Sequence, residues 1–175
     1  TTHPYDNPAN KPAQTSAFKS QQTWSVSWVD IDDPQAATIP CRAQAQQKGA
    51  TIFNRAEGIT QDEDGVWFIP SLGGPVMGGQ IFHLTHADGN RPQKLRLAYE
   101  VQDRTQLSCP DNLVVAPWGD LVLAEDNYAA APGVNTQFVR CMTKTGEIYP
   151  LLRLNKTGTG WKDIGPEFTG ACFSP

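Results

Sequence analysis

The chain has 175 residues, enough for one ordinary domain with a real core, and its 39% hydrophobic and 18% charged residues mark a globular rather than a disordered protein. A net charge of -4 argues against nucleic acid as a partner, because binding a phosphate backbone needs a basic face. No apolar run approaches the roughly 20 residues of a membrane-spanning helix. No basic start followed by an apolar stretch marks a retained signal peptide, and a mature exported chain would show none. The four cysteines, Cys41, Cys109, Cys141 and Cys172, lie far apart with no C-x-x-C pair. That speaks against a zinc ribbon and leaves open either two disulfides or buried free thiols.

Residues 1–22, TTHPYDNPANKPAQTSAFKSQQ, are rich in Pro, Asn, Thr and Gln, the composition of an extended arm or linker. The alternating TWSVSWV, Thr23 to Val29, predicts a strand, and the acidic turn DIDDP follows it. The next stretch holds the only expected helix, Arg42 to Lys48, with Gly49 as its stop. From Ala50 onward the apolar runs become short and β-rich: VWFI, GQIFHL, LRLAYEV, NLVVA, DLVLAE, TQFVRCM, EIYPLLRL and EFTGACF. Turn signals such as EDG, GGPVMGG, ADGN, PWGD, APG, KTGE and KTGTG separate them, which is all-β punctuation.

These runs repeat. RAEG opens a unit completed by VWFI, GQIFHL and LRLAYEV; PDNLVVA opens the next, completed by DLVLAE, QFVRCM and IYPLLRL; PEFTGACF opens a third that the chain end cuts off. The acids that open the units, Glu57, Asp111 and Glu167, stand 54 and 56 residues apart. Near-equal periods of four strands predict an all-β fold, a β-propeller fragment of two blades plus the first strand of a third, over residues 23–175. A two-sheet sandwich also has many short strands, but it does not place an acid at the same phase of each unit. In a propeller the first strand of each blade lines the central channel, so the three acids point at a shared axis. Carboxylates gathered there repel one another, and a hard cation with oxygen ligands is their natural counterpart. The hairpin from Pro110 to Asn127 brings Asn112, Glu125 and Asp126 to the same rim. The acids of DIDDP and QDEDG sit in plain turns and are expected to be turn formers.

The stretches WVDIDDP, FNRAEGI, GVWFIPSLGG with GGQIFHL, PDNLVVAPWGDLVLAEDN and PEFTGACFSP cover the chain from Trp28 to Pro175. In order and spacing they resemble the PhoX-type alkaline phosphatases. The resemblance implies a β-propeller phosphomonoesterase with calcium and iron at the channel mouth, exported to the periplasm or secreted. It implies metal binding by Glu57 in RAEG and Glu167 in EFTG. It also matches Asp111 and Asn112 to the family's PDN, and Glu125 and Asp126 to its EDN, as further metal candidates. Arg55, two residues before Glu57, is the candidate for facing a phosphate, a surface salt bridge being its plainer role. The chain has no Cys-Glu-Glu stretch, which carries the family's iron-binding cysteine, and Gly165-Pro166 stands where a basic residue is expected before EFTG. The chain therefore reads as a middle piece of a longer protein, with iron held through the other half, and by itself it is expected to be inactive as a phosphatase. The expected partners are a phosphate monoester and either the remainder of its propeller or another copy of the chain.

Other candidates weigh less. His83 and His86 are three apart on a strand and should face opposite sides, which disfavours a chelating pair. Trp67 and Phe68 read as core, Trp118 as inter-blade packing, and GGPVMGG as a loop near the channel, since it lacks the Lys-Ser/Thr ending of a phosphate cradle. No serine has a G-x-S-x-G setting. Glu100, in mid-strand with no special phase, is expected to be indifferent to change to Gln. Two other functions share the oxygen-rich channel: a calcium-dependent propeller hydrolase of lactonase type, and a non-catalytic calcium-stabilised scaffold.

Overall fold

A computed structural model describes residues 21–87, 92–126, 136–154 and 168–174. In chain order the elements are β1 Thr23–Ser25, α1 Cys41–Gln47, β2 Ala56–Gln61, β3 Gly65–Pro70, β4 Gln80–Thr85, β5 Lys94–Glu100, β6 Pro110–Val115, β7 Leu121–Glu125, β8 Phe138–Met142 and β9 Ile148–Arg153. Strands β2–β5 follow Arg55 and strands β6–β9 follow Cys109, four in each run. The helix forms one residue earlier than expected, and the first strand stops at Ser25, well short of Val29. Side chains hold the short polar helix, among them Lys48 at its end, whose Nζ donates to the Asp30 carbonyl at 2.8 Å and to Asp32 Oδ1 at 2.6 Å. Buried Gln44 donates to the carbonyls of Asp33 and Ile39 and accepts from the Asp33 N–H, tying α1 to the acidic turn. No helix among the described residues is long and apolar enough to cross a membrane.

The strands form two antiparallel sheets, ordered β1-β5-β4-β3-β2 and β6-β7-β8-β9, and neither closes on itself. They pack face to face like consecutive propeller blades. Ile69, Ile81 and Ala98 of the first sheet meet Leu113, Leu121, Leu123 and Met142 of the second in the main core. The second sheet's other face carries Ala116, Val122, Val139 and Cys141, with Phe168 packed on them. From there residues 168–174 reach the β6–β7 turn, where Phe173 meets Trp118 edge-on at 5.4 Å. Trp118 thus packs on the third unit, while that unit's opening acid, Glu167, lies outside the described residues.

The repeat goes deeper than strand count. The inner strands β2 and β6 each carry a register shift against their hairpin partner just past their first residue: between Ala56 and Ile59 in the first blade, and between Pro110 and Asn112 in the second. The third and fourth strands shift as well, between Ile81 and Phe82 and between Val139 and Arg140. By register, Pro70 corresponds to Glu125, Phe82 to Arg140 and Leu97 to Pro150.

The outer edges differ. β1 adds a fifth strand to the first blade, and the pairing already begins at Gln21 and Gln22: Gln21 N–H donates to the Leu97 carbonyl (2.6 Å) and Leu97 N–H to the Gln22 carbonyl (2.9 Å). This pairing joins residues some 70 positions apart, and no local signal in the sequence reports it. All four cysteines are free thiols, but only Cys109 and Cys141 are buried; Cys41 is half-buried and Cys172 exposed.

Candidate metal site at the blade junction

The site grows from the residue that precedes each inner strand. Arg55 and Cys109 both have left-handed backbones, with φ of 56° and 45°. Their carbonyls accept the N–H of the residue just past the second strand: Ser71 N donates to Arg55 O at 2.8 Å, and Asp126 N to Cys109 O at 2.9 Å. These stitches draw Asp126 back to the start of β6. Each register shift also falls at the opening acid, Glu57 or Asp111, and a bulge at such a place re-aims the side chain it carries.

The two inner strands pack against each other, and Gly58 permits it. A Cβ there would lie 2.5 Å from the Asp111 carbonyl oxygen and 2.8 Å from Leu113 Cδ2. The residue after the first acid must therefore be glycine for the second acid's backbone to come so close.

One guanidinium joins the blades. Arg55 Nε lies 3.1 Å from Glu57 Oε1, Nη2 donates to Asp126 Oδ2 at 3.0 Å, and Nη1 to Ser71 Oγ at 3.3 Å. Glu57 is exposed and Asp126 buried. Burial works against Arg55's charge, but the hydrogen bond and charge of Asp126, then Glu57 and Asp111, outweigh it and hold its pKa above the usual value. Asp111, half-buried, shows the opposite balance. Burial first, and then the negative charge of Glu57 with a smaller push from Asp126, drive its carboxyl up, and Arg55 only partly offsets this. Among the described residues the junction sets the carboxylates of Glu57, Asp111 and Asp126 against the Arg55 guanidinium.

Of the expected site residues, Arg55, Glu57, Asp111 and Asp126 come together here. Asn112 is half-buried next to Asp111, its Cα against Gly58. Glu125 does not join them. It is fully buried, its Oε1 accepts from Ser108 N (3.0 Å) and Arg140 Nε (2.7 Å), and its Oε2 accepts from Phe138 N (3.0 Å). Adjacent strand residues point to opposite sides, so Asp126 and Glu125 cannot both face the junction. Among the described residues, no three His, Cys, Asp or Glu side chains stand close enough to hold a metal ion. Gly58, Ser71, Cys109 and Arg140 escaped the sequence reading. A comparison of Arg55 with Cys109, at the same offset before each acid, was the signal that could have exposed the paired loops.

Elsewhere the turn acids behave as turn formers: Asp33 accepts from Gln35 and Ala37 N–H, and Asp62 from Asp64 and Gly65 N–H. His83 and His86 part company, as strand alternation predicts. His83 is buried, stacked on Trp67 at 4.2 Å, with Nε2 3.6 Å from Asp62 Oδ1, beyond hydrogen-bond reach; His86 is exposed. The GGPVMGG loop is stitched by Gly79 N to Gly73 O and receives the Cys109 N–H on Gly78 O at 2.6 Å. Glu100 is buried and accepts from Gln80 Nε2 (2.6 Å) and Gln102 Nε2 (3.0 Å), so Gln there would keep an acceptor for one donor and turn its NH2 toward the other, which argues against indifference to that change.

A family model described as alkaline phosphatase PhoX matches residues 10–175. The chain belongs to the PhoX alkaline phosphatase family. The match covers both blades and the junction between them, so the carboxylates described above lie in a phosphatase scaffold. No curated protein and no solved structure matches the chain.

Proposed function

We propose that the blade junction forms one wall of the catalytic site of a metal-dependent phosphomonoesterase, with Glu57, Asp111 and Asp126 as calcium ligands, Asn112 as a neighbouring donor, and Glu167, outside the described residues, as the further ligand that the family resemblance implies. The observation that carries this reading is the gathering of carboxylates from two blades: burial first, and then Glu57 and Asp126, raise Asp111's proton affinity, and Arg55, which already pairs with Glu57 and Asp126, offsets this only in part. The donor set is all oxygen, which suits calcium. For iron the described part of the site offers no thiolate, since burial pushes the neighbouring Cys109 thiol up; iron would need residues other than these.

Bound calcium would polarise the phosphoryl oxygens and stabilise the charge that develops on them. The chain's own groups do the rest. Gly58 lets the two inner strands bring Glu57 and Asp111 close together, and the stitched loops fix where their carboxylates start. Arg55 counters Glu57 and Asp126 while no cation is bound. With those carboxylates committed to a bound cation, the Arg55 guanidinium would donate to phosphate oxygens. Ring closure by the remainder of the propeller, or by another copy, would complete the channel, and the family's export route would place the protein in the periplasm or outside the cell.

The test is hydrolysis of p-nitrophenyl phosphate by the full-length protein, after chelation and after calcium is returned, with a lactone as parallel substrate. Loss and recovery of phosphatase activity, and its abolition by Glu57→Gln but not by exposed Glu63→Gln, are expected. Turnover indifferent to chelator would sink the metal assignment, and lactone turnover alone would point to the lactonase-type hydrolase. Calcium binding without either activity would leave a scaffold.

A further inference from the structure

We infer that Glu125 and Arg140 form a buried clamp that positions Asp111 and Asp126 for the cation, an inference that rests on the calcium site proposed above. The two blades supply their own control. Where the second blade has Glu125 and Arg140, the first has Pro70 and Phe82 at the same register positions. There Phe82 packs with Phe53 and Phe68, at 5.3 and 5.4 Å between ring centroids. One scaffold is thus built once on aromatic packing and once on an ion pair. Stability does not explain the second choice, because buried charges lose hydration that well-packed apolar residues never had.

The ion pair holds backbone, which an apolar pair cannot do. Glu125 Oε1 is the acceptor for the N–H of fully buried Ser108, and Oε2 for that of Phe138. Arg140 Nη2 donates to the Thr105 carbonyl at 3.0 Å, and its guanidinium lies over the Phe138 ring at 4.1 Å. The clamp therefore grips the loop of residues 105–108 from two sides. The next residue, Cys109, is the left-handed one whose carbonyl receives Asp126 N–H, and Asp111 stands two positions further on. Asp126 is covalently next to Glu125. A displacement at the clamp reaches both carboxylates through a single turn of chain.

The experiment measures calcium affinity by calorimetry, with calcium alone, and thermal stability in the same full-length protein. Glu125→Gln/Arg140→Met removes both charges at similar volume but turns an amide NH2 toward one backbone donor and leaves the Thr105 carbonyl without its guanidinium, so Tm should fall modestly. Calcium affinity should fall by on the order of tenfold to a hundredfold, as for other supporting partners of metal ligands. The single change Glu125→Gln strands Arg140 and should lower both. An unchanged affinity in the double variant overturns the clamp. If the double variant fails to fold, Arg140→Lys decides: it keeps the charge but loses the two-sided grip, and undiminished affinity there overturns the clamp equally. Glu57→Gln, run alongside, separates the two readings, since an unchanged affinity in that variant would bring down the calcium site itself.

Discussion

On the outermost strand of the first blade, Leu97 donates its N–H to Gln22, and β1 is held there as a fifth strand. The register position that corresponds to it in the second blade is Pro150, which has no N–H to donate. The two blades share strand number, bulges and stitched loops, yet one edge accepts another strand and the other refuses it at that point. Proline on an edge strand is a known way to stop unwanted pairing. The exposed Leu151 and Leu152 beside it show why such a guard matters. The difference teaches that repetition sets the frame of each blade, while single residues at fixed register positions decide what the frame is used for.

Transplanting the guard should have the largest effect. Leu97→Pro removes a ladder hydrogen bond and a fully buried side chain, and should cost about 3 kcal/mol or more. Hydrogen exchange should show protection lost from Gln21 to Ser25. Protection that survives would mean that β1 is held by its side chains alone.

Next comes the contact between blades. Gly58→Ala should cost about 1–3 kcal/mol by overpacking, because its new Cβ would press on the Asp111 carbonyl oxygen at 2.5 Å. Asn112→Ala, at the matching place in the second blade, should cost clearly less. Equal losses in Tm would show that the approach of the inner strands is not asymmetric.

A smaller change distinguishes the acids. Asp111→Asn should raise the Tm of the metal-free chain, since it removes the group that burial and Glu57 make unfavourable as an anion. With calcium present the same change should lower Tm. A drop in both conditions would mean that Asp111 is structural.

Acid should find a weakness in the first blade only. Burial, opposed in part by Asp62, lowers the pKa of His83; its counterpart in the second blade is Cys141, whose thiol burial pushes up. A histidine with a lowered pKa binds its proton more readily when unfolded, so its folded neutral form is fully favourable above the unfolded pKa of about 6.5. Stability is then lost as pH falls through that value toward the folded pKa. His83→Phe, which keeps the stack on Trp67, should flatten the dependence of Tm on pH in that window. An unaltered slope would assign the acid sensitivity elsewhere.

The smallest effect on stability is expected from Pro150→Leu, within about 0.5 kcal/mol. It should instead make the chain associate at high concentration, as seen by light scattering. A strictly monomeric variant would show that the second edge is guarded by something other than proline.

Strand composition, turn signals and the spacing of Glu57 from Asp111 were enough to place eight strands in two equal units, because alternation and turn chemistry act between near neighbours in the chain. They also singled out acids that recur at one phase of each unit, since such acids land at one end of each blade. What they could not decide is which acids meet. Glu125 and Asp126 are adjacent in EDN; strand alternation sends them to opposite sides, but only the Cys109–Asp126 stitch and Arg140 determine which one faces Arg55. Arg55 read as a candidate for facing a phosphate, with a surface salt bridge the plainer role; it pairs with nearby Glu57 and also with Asp126, 71 residues away on the other blade. β1 likewise read as a free strand until its partner β5 was in view. Bulges, left-handed loop residues and the Gly58 contact take their meaning from chain segments far away in sequence, and packing brings those segments together only after the local elements have formed.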